Sequence, residues 1–235
     1  MKTIRNIIII VIIVVGVFGG IKINEGYELY EKAINEVSLE DKVSEIRSKE
    51  NYTTLDELPD IYKKAVIAAE DHRYYTHNGI DVISILSAIW NDITTFSLAQ
   101  GGSTITQQLA KNTYFTQEKK LVRKIAEMFM AIEIEKNYSK DEILELYINS
   151  SYYGEGCYTV KEASRRYFDK EPIDMTDYES IMLAGIPNAP SVYAPTVNLD
   201  LTKKRQLQVI RKMIKFNVIT EEEAKKILES EEGDL

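Results

Sequence analysis

The chain is poor in the residues from which many sites are built. Its 235 residues include one cysteine, Cys157, and two histidines, His72 and His77. A lone cysteine cannot close an internal disulfide, so the fold has to hold by packing. Cys157 also lies far in sequence from both histidines. With no evident activating partner, it reads as a small buried residue rather than a nucleophile. Two histidines five positions apart are a weak metal signal, and no dedicated protein metal site is expected. Positive charge is not in excess either: 37 acidic residues against 29 basic ones give a net charge of -8. That argues against a nucleic-acid partner, which needs a basic surface, but leaves room for a local basic cleft. Strong alternating strand patterns are scarce, and no internal repeat or low-complexity tract is evident.

What is present is a globular composition, with 44% hydrophobic and 28% charged residues. The first distinct signal is at the N-terminus. Lys2 and Arg5 precede the uncharged run Ile7 to Ile21, which Lys22 closes. The run is near the short end of the roughly 17–25 residues of a spanning helix. Val17 and Gly19 are small enough for a cleaved leader, but there is no clear A-x-A site and the run exceeds a usual leader core. It reads as a retained transmembrane anchor over 1–22, with its short basic flank in the cytoplasm and the rest of the chain outside. A charged helical stretch follows, read as a stalk over 23–52, and then one domain over 53–235.

That domain reads as mostly helical. Capping boxes pair Thr54 with Glu57, Ser139 with Glu142, Thr176 with Glu179 and Thr220 with Glu223. The last segment reads as two helices joined near Asn217, ending in a short solvated acidic tail.

Three segments carry residues suited to chemistry. In AVIAAEDHRYYTHNG, a helix over Asp60 to Ala69 brings Glu70 and Asp71 to its C-terminal end. A carboxylate there meets the negative end of the helix dipole and apolar neighbours, the setting of a general base, although such a pair is more often a solvated helix end. In GGSTITQQLAKN, Ser103 can cap a helix on which Thr104, Gln107, Gln108 and Lys111 share one face. A helix start with Ser, Thr and a following Lys is a phosphate grip; the competing reading is an ordinary polar face. In EKKLVRKIAEMFMAIEIEKN, Leu121, Ile125, Met128 and Ile132 form an expected core stripe, with Lys119, Arg123 and Glu127 opposite. Pairing of residues four apart on a solvated face accounts for that pattern equally well. KDEILELYINSSYYGEG and LAGIPNAPSVYAP read by themselves as helix ends and turns.

Taken together and in order, EDHRYYTHNG, GGSTITQQLAKN, RKIAE, ILELYINSSYYGEG and LAGIPNAPSVYAP resemble the five motifs of the peptidoglycan glycosyltransferases, glycosyltransferase family 51. The likeness runs from about Leu58 to Lys215. It implies a lysozyme-like helical domain with a smaller membrane-associated hydrophobic lobe, expected over 80–98. It implies an enzyme that polymerises lipid II onto a growing glycan strand at the cytoplasmic membrane, releasing undecaprenyl diphosphate. Glu70 then matches the general base and Glu127 the second glutamate, which assists the donor side. Ser103, Gln107, Gln108, Lys111 and Arg123 match binders of donor phosphates and sugars. Lys119 and Lys124 match basic positions, and Asp71 and Asn149 match motif positions of less defined role. A divalent cation, Mg2+ or Mn2+, is expected to assist the diphosphate.

Some positions depart from the family pattern. Tyr74 replaces a frequent Phe, Ala126 a polar residue, and Thr159 and Asp169 replace common glycines. Neither Ser-x-x-Lys nor Lys-Thr-Gly occurs, so a transpeptidase domain is not expected within this sequence. Other cell-wall synthesis proteins are expected among the enzyme's partners, and two alternatives remain: a lysozyme-like lytic enzyme using one glutamate, and an inactive wall scaffold.

Overall fold

A computed structural model describes residues 2–95, 102–115 and 120–232. The side chains at 2–4, 7, 8, 10–13, 15, 89, 91–93, 95, 120, 231 and 232 are outside that description. Twelve α-helices are found among the described residues. They are α1 (Lys2–Glu36), α2 (Leu39–Arg47), α3 (Asp60–Glu70), α4 (Val82–Thr95), α5 (Ile105–Tyr114) and α6 (Lys120–Asn137). There follow α7 (Lys140–Ile148), α8 (Val160–Phe168), α9 (Asp177–Gly185), α10 (Pro190–Tyr193), α11 (Leu199–Lys215) and α12 (Glu221–Glu232). No strand is present among these residues, only an isolated bridge between Gly154 and Cys157. The mostly helical expectation therefore holds.

Local sequence sets the helix starts. The Glu57 carboxylate accepts from the Thr54 N–H. Ser139 with Glu142 and Thr176 with Glu179 form reciprocal boxes, and the Thr220–Glu223 pair does the same ahead of α12. Each satisfies two amide hydrogens that have no partner inside the helix. Two further boxes escaped the sequence reading, Thr104–Gln107 and Thr159–Glu162. The second explains the departure at Thr159, whose extended φ of -136° needs no glycine. Asp169 does occupy a glycine-like conformation, ending α8 at φ +54°. Asn217, at φ +57°, ends α11 where the joint was expected.

Two layers of helices make the core. α3 packs against α9 and α11 on one side of the molecule, and α5 packs against α6 and α7 on the other. Tyr62, Tyr74, Tyr147, Tyr153 and Phe115 are its largest fully buried side chains among the described residues. Tyr74 uses the hydroxyl that Phe would lack to donate to Lys140 O at 2.5 Å.

The segment read as a stalk is packed on the domain. The second half of α1 lies along α6, and a Cβ on Gly26 would meet the Ile125 side chain at 2.5 Å. Tyr27 and Tyr30 pack on Phe129, and α2 buries Val43 and Ile46. This contact redraws the reading of α6. Its deeply buried residues are Ala126, Glu127, Met130, Ala131 and Ile134, whereas Leu121 of the expected core stripe is exposed. With α5 on one face and α1 on another, α6 has two packed faces, and a single apolar stripe underestimates its burial.

Among the described residues no helix is long and apolar enough to cross a membrane. The expected spanning segment forms the first half of α1, and several of its side chains are outside the description. The expected hydrophobic lobe is described as far as Thr95. There α4 exposes Val82, Ile83, Leu86 and Trp90 along one helical stripe.

Candidate active site

A cleft of about 940 Å³ opens between the two layers. It is lined by the end of α3, the start of α4, the N-terminal half of α5, Lys124 and Glu127 of α6, and one face of α11. Glu70, Asp71, Ser103, Thr104, Gln107, Gln108, Lys111, Lys124 and Glu127 all contribute to its wall. Residues from three separate motifs thus meet in one place.

Glu70 is the last residue of α3, as expected. Its Oε2 accepts from Gln108 Nε2 at 2.9 Å, and its Oε1 lies 3.5 Å from Arg205 Nη2. Its side chain is 9% exposed. Asp71 borders the cleft, but its carboxylate is engaged by the fold. Its carboxylate bonds His77 Nε2 at 2.9 Å and accepts the Ile105 N–H at 3.0 Å, fastening the end of α3 to the start of α5.

The cap of α5 is Thr104, not Ser103. Thr104 accepts from the Gln107 N–H and donates to Gly79 O at 2.7 Å, so its hydroxyl is committed to the fold. Gln107 Oε1 in turn accepts from the Thr104 N–H, while its buried Nε2 has no hydrogen-bond partner among the described residues. Ser103 is free of the capping task and accepts from Lys124 Nζ at 2.6 Å.

Glu127 is 2% exposed and has two cations beside it. Lys124 Nζ donates to its Oε2 at 3.0 Å, and Arg123 Nε lies 3.1 Å from its Oε1 without an aligned hydrogen bond. Arg123 stands behind the cleft wall rather than in it. Lys111 lies between the two carboxylates. Burial pushes its ammonium down, Glu127 and Glu70 pull it up, and Lys124 and Arg123 push it down further. A group poised in this way gains from an incoming anion.

Asn149, like Arg123, is not in the cleft wall. Asn149 is fully buried at the end of α7, where Oδ1 accepts from Thr53 N and Nδ2 donates to Thr53 O and Glu145 O. It clamps the chain before α3, and its polar atoms are engaged there. Lys119 lies outside the described residues.

The structure adds a cationic face that the sequence reading did not assign. Arg205, Gln208, Lys212 and Lys215 of α11 line the cleft opposite α5. Their spacing of three, four and three residues was the available signal. Arg205 Nε donates to Gly185 O, and Lys212 donates to Ala69 O. Burial lowers the Lys212 ammonium against the pull of Glu70. Arg73 makes a forked pair with Asp81 at 2.8 Å, and His72 stacks on Phe216 at 3.9 Å. Cys157 is buried away from the cleft, and burial pushes its thiol up.

Comparison with known proteins places the chain in a family. The transglycosylase family matches residues 38–214. The chain is similar to penicillin-binding protein 1F of Bacillus subtilis (strain 168), at 43% identity over 171 residues, covering 73% of this chain and 24% of that protein. It is similar to penicillin-binding protein 1A of Neisseria lactamica, at 42% identity over 183 residues, covering 78% and 23%. Penicillin-binding protein 2D of Bacillus subtilis (strain 168) is 45% identical over 165 residues, covering 70% and 24%. A crystal structure of penicillin-binding protein 1A from Haemophilus influenzae aligns with 75% of this chain and 17% of that chain, at 21% identity and a TM-score of 0.45. The chain spans about a quarter of the length of these curated relatives. With three quarters of its residues matched by one family and a cleft assembled from that family's motifs, the chain belongs to the transglycosylase family.

Proposed function

We propose that the chain is a peptidoglycan glycosyltransferase that polymerises lipid II. The observation that carries this reading is the pair of carboxylates in one cleft, each with basic side chains near it. Glu70 lies beside Arg205, and Glu127 is buried between Lys124 and Arg123.

On this reading Glu70 takes the proton of the acceptor sugar's 4-hydroxyl as that oxygen attacks the anomeric carbon of the growing chain. The bond from that carbon to the diphosphate oxygen breaks with inversion, and undecaprenyl diphosphate leaves. Lys111, Lys124 and Ser103 face the departing phosphates, with Glu127 holding Lys124 in place. Gln107, whose buried Nε2 has no partner among the described residues, offers a donor to the sugar or phosphate. Arg73, Lys212 and Lys215 give the opposite end of the cleft a positive wall suited to the second lipid diphosphate.

Among the described residues no group of three or more His, Cys, Asp or Glu side chains is arranged to hold a metal. Mg2+ or Mn2+, where it assists, comes bound to the diphosphate.

The membrane assignment belongs to the same proposal. The apolar first half of α1 serves as a single-pass anchor, the lysozyme-like domain lies outside the cytoplasm, and the exposed stripe on α4 meets the lipid surface. A lytic enzyme would need one acid/base glutamate and no cationic wall. Glu127 with its lysine and arginine therefore favours synthesis, as does the intact set of polar residues over an inactive scaffold.

The test is incubation of the purified chain with lipid II, detergent and a divalent cation, with products separated on a gel beside Glu70→Gln. Polymer from the wild type alone is the expected result. Shortening of added glycan strands would instead establish the lytic reading, and no reaction with either substrate the scaffold.

A further inference from the structure

We propose that Tyr147 is a positioning residue for the base, acting through the side chain of Gln108. This rests on the reading of Glu70 as the proton acceptor. Gln108 makes two side-chain hydrogen bonds among the described residues. Its Nε2 donates to Glu70 Oε2 at 2.9 Å, and its Oε1 accepts from the Tyr147 hydroxyl at 3.4 Å. The two ends of a glutamine amide have nearly the same shape, so their partners decide which end points where.

Tyr147 is a strong selector. It is fully buried on α7, within the packing of α7 on α5. Burial first, and the negative charge of Glu70 second, keep its phenol protonated far above the ordinary range. A hydroxyl that keeps its proton offers a donor to Gln108 Oε1 and turns the amide NH2 toward the carboxylate. The three groups form a one-way chain of donors that ends on Glu70, and each bond polarises the next. On the other side, Arg205 Nη2 faces Oε1 of the same carboxylate. Glu70 is thereby held from both oxygens, and Tyr147, which does not line the cleft, steadies that arrangement from behind it.

The experiment is Tyr147→Phe in the full chain, assayed with lipid II in detergent across pH. The ring and its packing stay; only the hydroxyl is removed. Turnover is expected to fall about 3- to 10-fold, the worth of one net hydrogen bond, with KM unchanged. The acid limb of the pH profile is expected to move up, because a carboxylate with a weakened donor holds its proton more tightly. The other charged groups facing Glu70, namely Arg205 and Lys212 of α11 and Lys111 of α5, are left in place.

A double-mutant cycle separates positioning from general loosening. In a Gln108→Met background, Tyr147→Phe is expected to have no further effect. An equal fall in both backgrounds would overturn the proposal, as would a Tyr147→Phe enzyme with wild-type turnover and acid limb. Glu70→Gln runs alongside. If it polymerises like the wild type, the base assignment fails first and this inference with it. If it is inactive while Tyr147→Phe behaves as wild type, only this inference fails.

Discussion

Asp71 and Ile105 are thirty-four positions apart, yet the Asp71 carboxylate accepts the Ile105 amide hydrogen at 3.0 Å. The bond supplies a negative group to the positive start of α5 and fixes the end of α3 beside it. Glu70 and Gln108 owe their contact to this junction. Asp71→Ala is therefore expected to lower polymerisation strongly and to cost about 2–3 kcal/mol, the range for hydrogen bonds to a buried charge. Thermal unfolding and the lipid II assay on one preparation would show both effects. Asp71→Asn retains an acceptor and is expected to fall between.

Glu127 balances two cations that are themselves about a third exposed. Glu127→Gln keeps the shape and removes the charge. Lys124 then retains Ser103 as a partner. Activity is expected to be nearly abolished, with stability lowered by only about 1–2 kcal/mol, since solvent screens the cations left behind. A variant that keeps most of its polymerase activity would remove Glu127 from the chemistry.

The Arg73–Asp81 pair gives a pH dependence. Burial alone would raise the Asp81 carboxyl, but hydrogen bonds from Arg73 and from the Ser84 amide and hydroxyl outweigh it and hold it well below its ordinary value of 3.8. A carboxyl depressed in the folded state stabilises fully above its unfolded value. That contribution is lost as pH falls through the unfolded value toward the folded one. The stability difference between wild type and Asp81→Asn is expected to stay constant from pH 7 to about pH 5 and to shrink below about pH 4. Denaturant midpoints at several pH values measure it.

Gly26 permits α1 to touch α6. Gly26→Val is expected to lower stability by about 1–3 kcal/mol, because its side chain would enter space held by Ile125 and Val122 O. Ile125→Ala in the same chain should restore part of the loss. If the two substitutions simply add, the helices do not meet at this point.

Asp169 adopts φ +54° at the end of α8. Asp169→Gly is expected to raise stability by up to about 1 kcal/mol, since glycine takes this conformation without the Cβ strain. The change is far from the cleft and should leave turnover unaltered.

Much of the site could be read from the chain because its motifs are local. Glu70 at a helix end, the shared face of Gln107, Gln108 and Lys111, and Glu127 beside Arg123 and Lys124 follow from three short segments. Other assignments depended on contacts across the molecule. Thr104 and Asn149 stand at motif positions, but their polar atoms are engaged by Gly79 and Thr53, which no spacing within the motif announces. The face of α11 bearing Arg205 and Lys212 had a readable period, but only its place opposite α5 makes it part of the site.

The sequence by itself determined the helices and their caps, because these arise from bonds between residues three or four apart. It also determined the family, because each of the five motifs is a short local pattern and their order can be read along the chain. Tertiary structure decided which groups meet. Asp71 to Ile105, Gln108 between Glu70 and Tyr147, and Gly26 against Ile125 are pairings across long stretches of chain. Their geometry is set by how whole helices pack, and helix packing depends on the shapes of both faces at once, which no single segment contains.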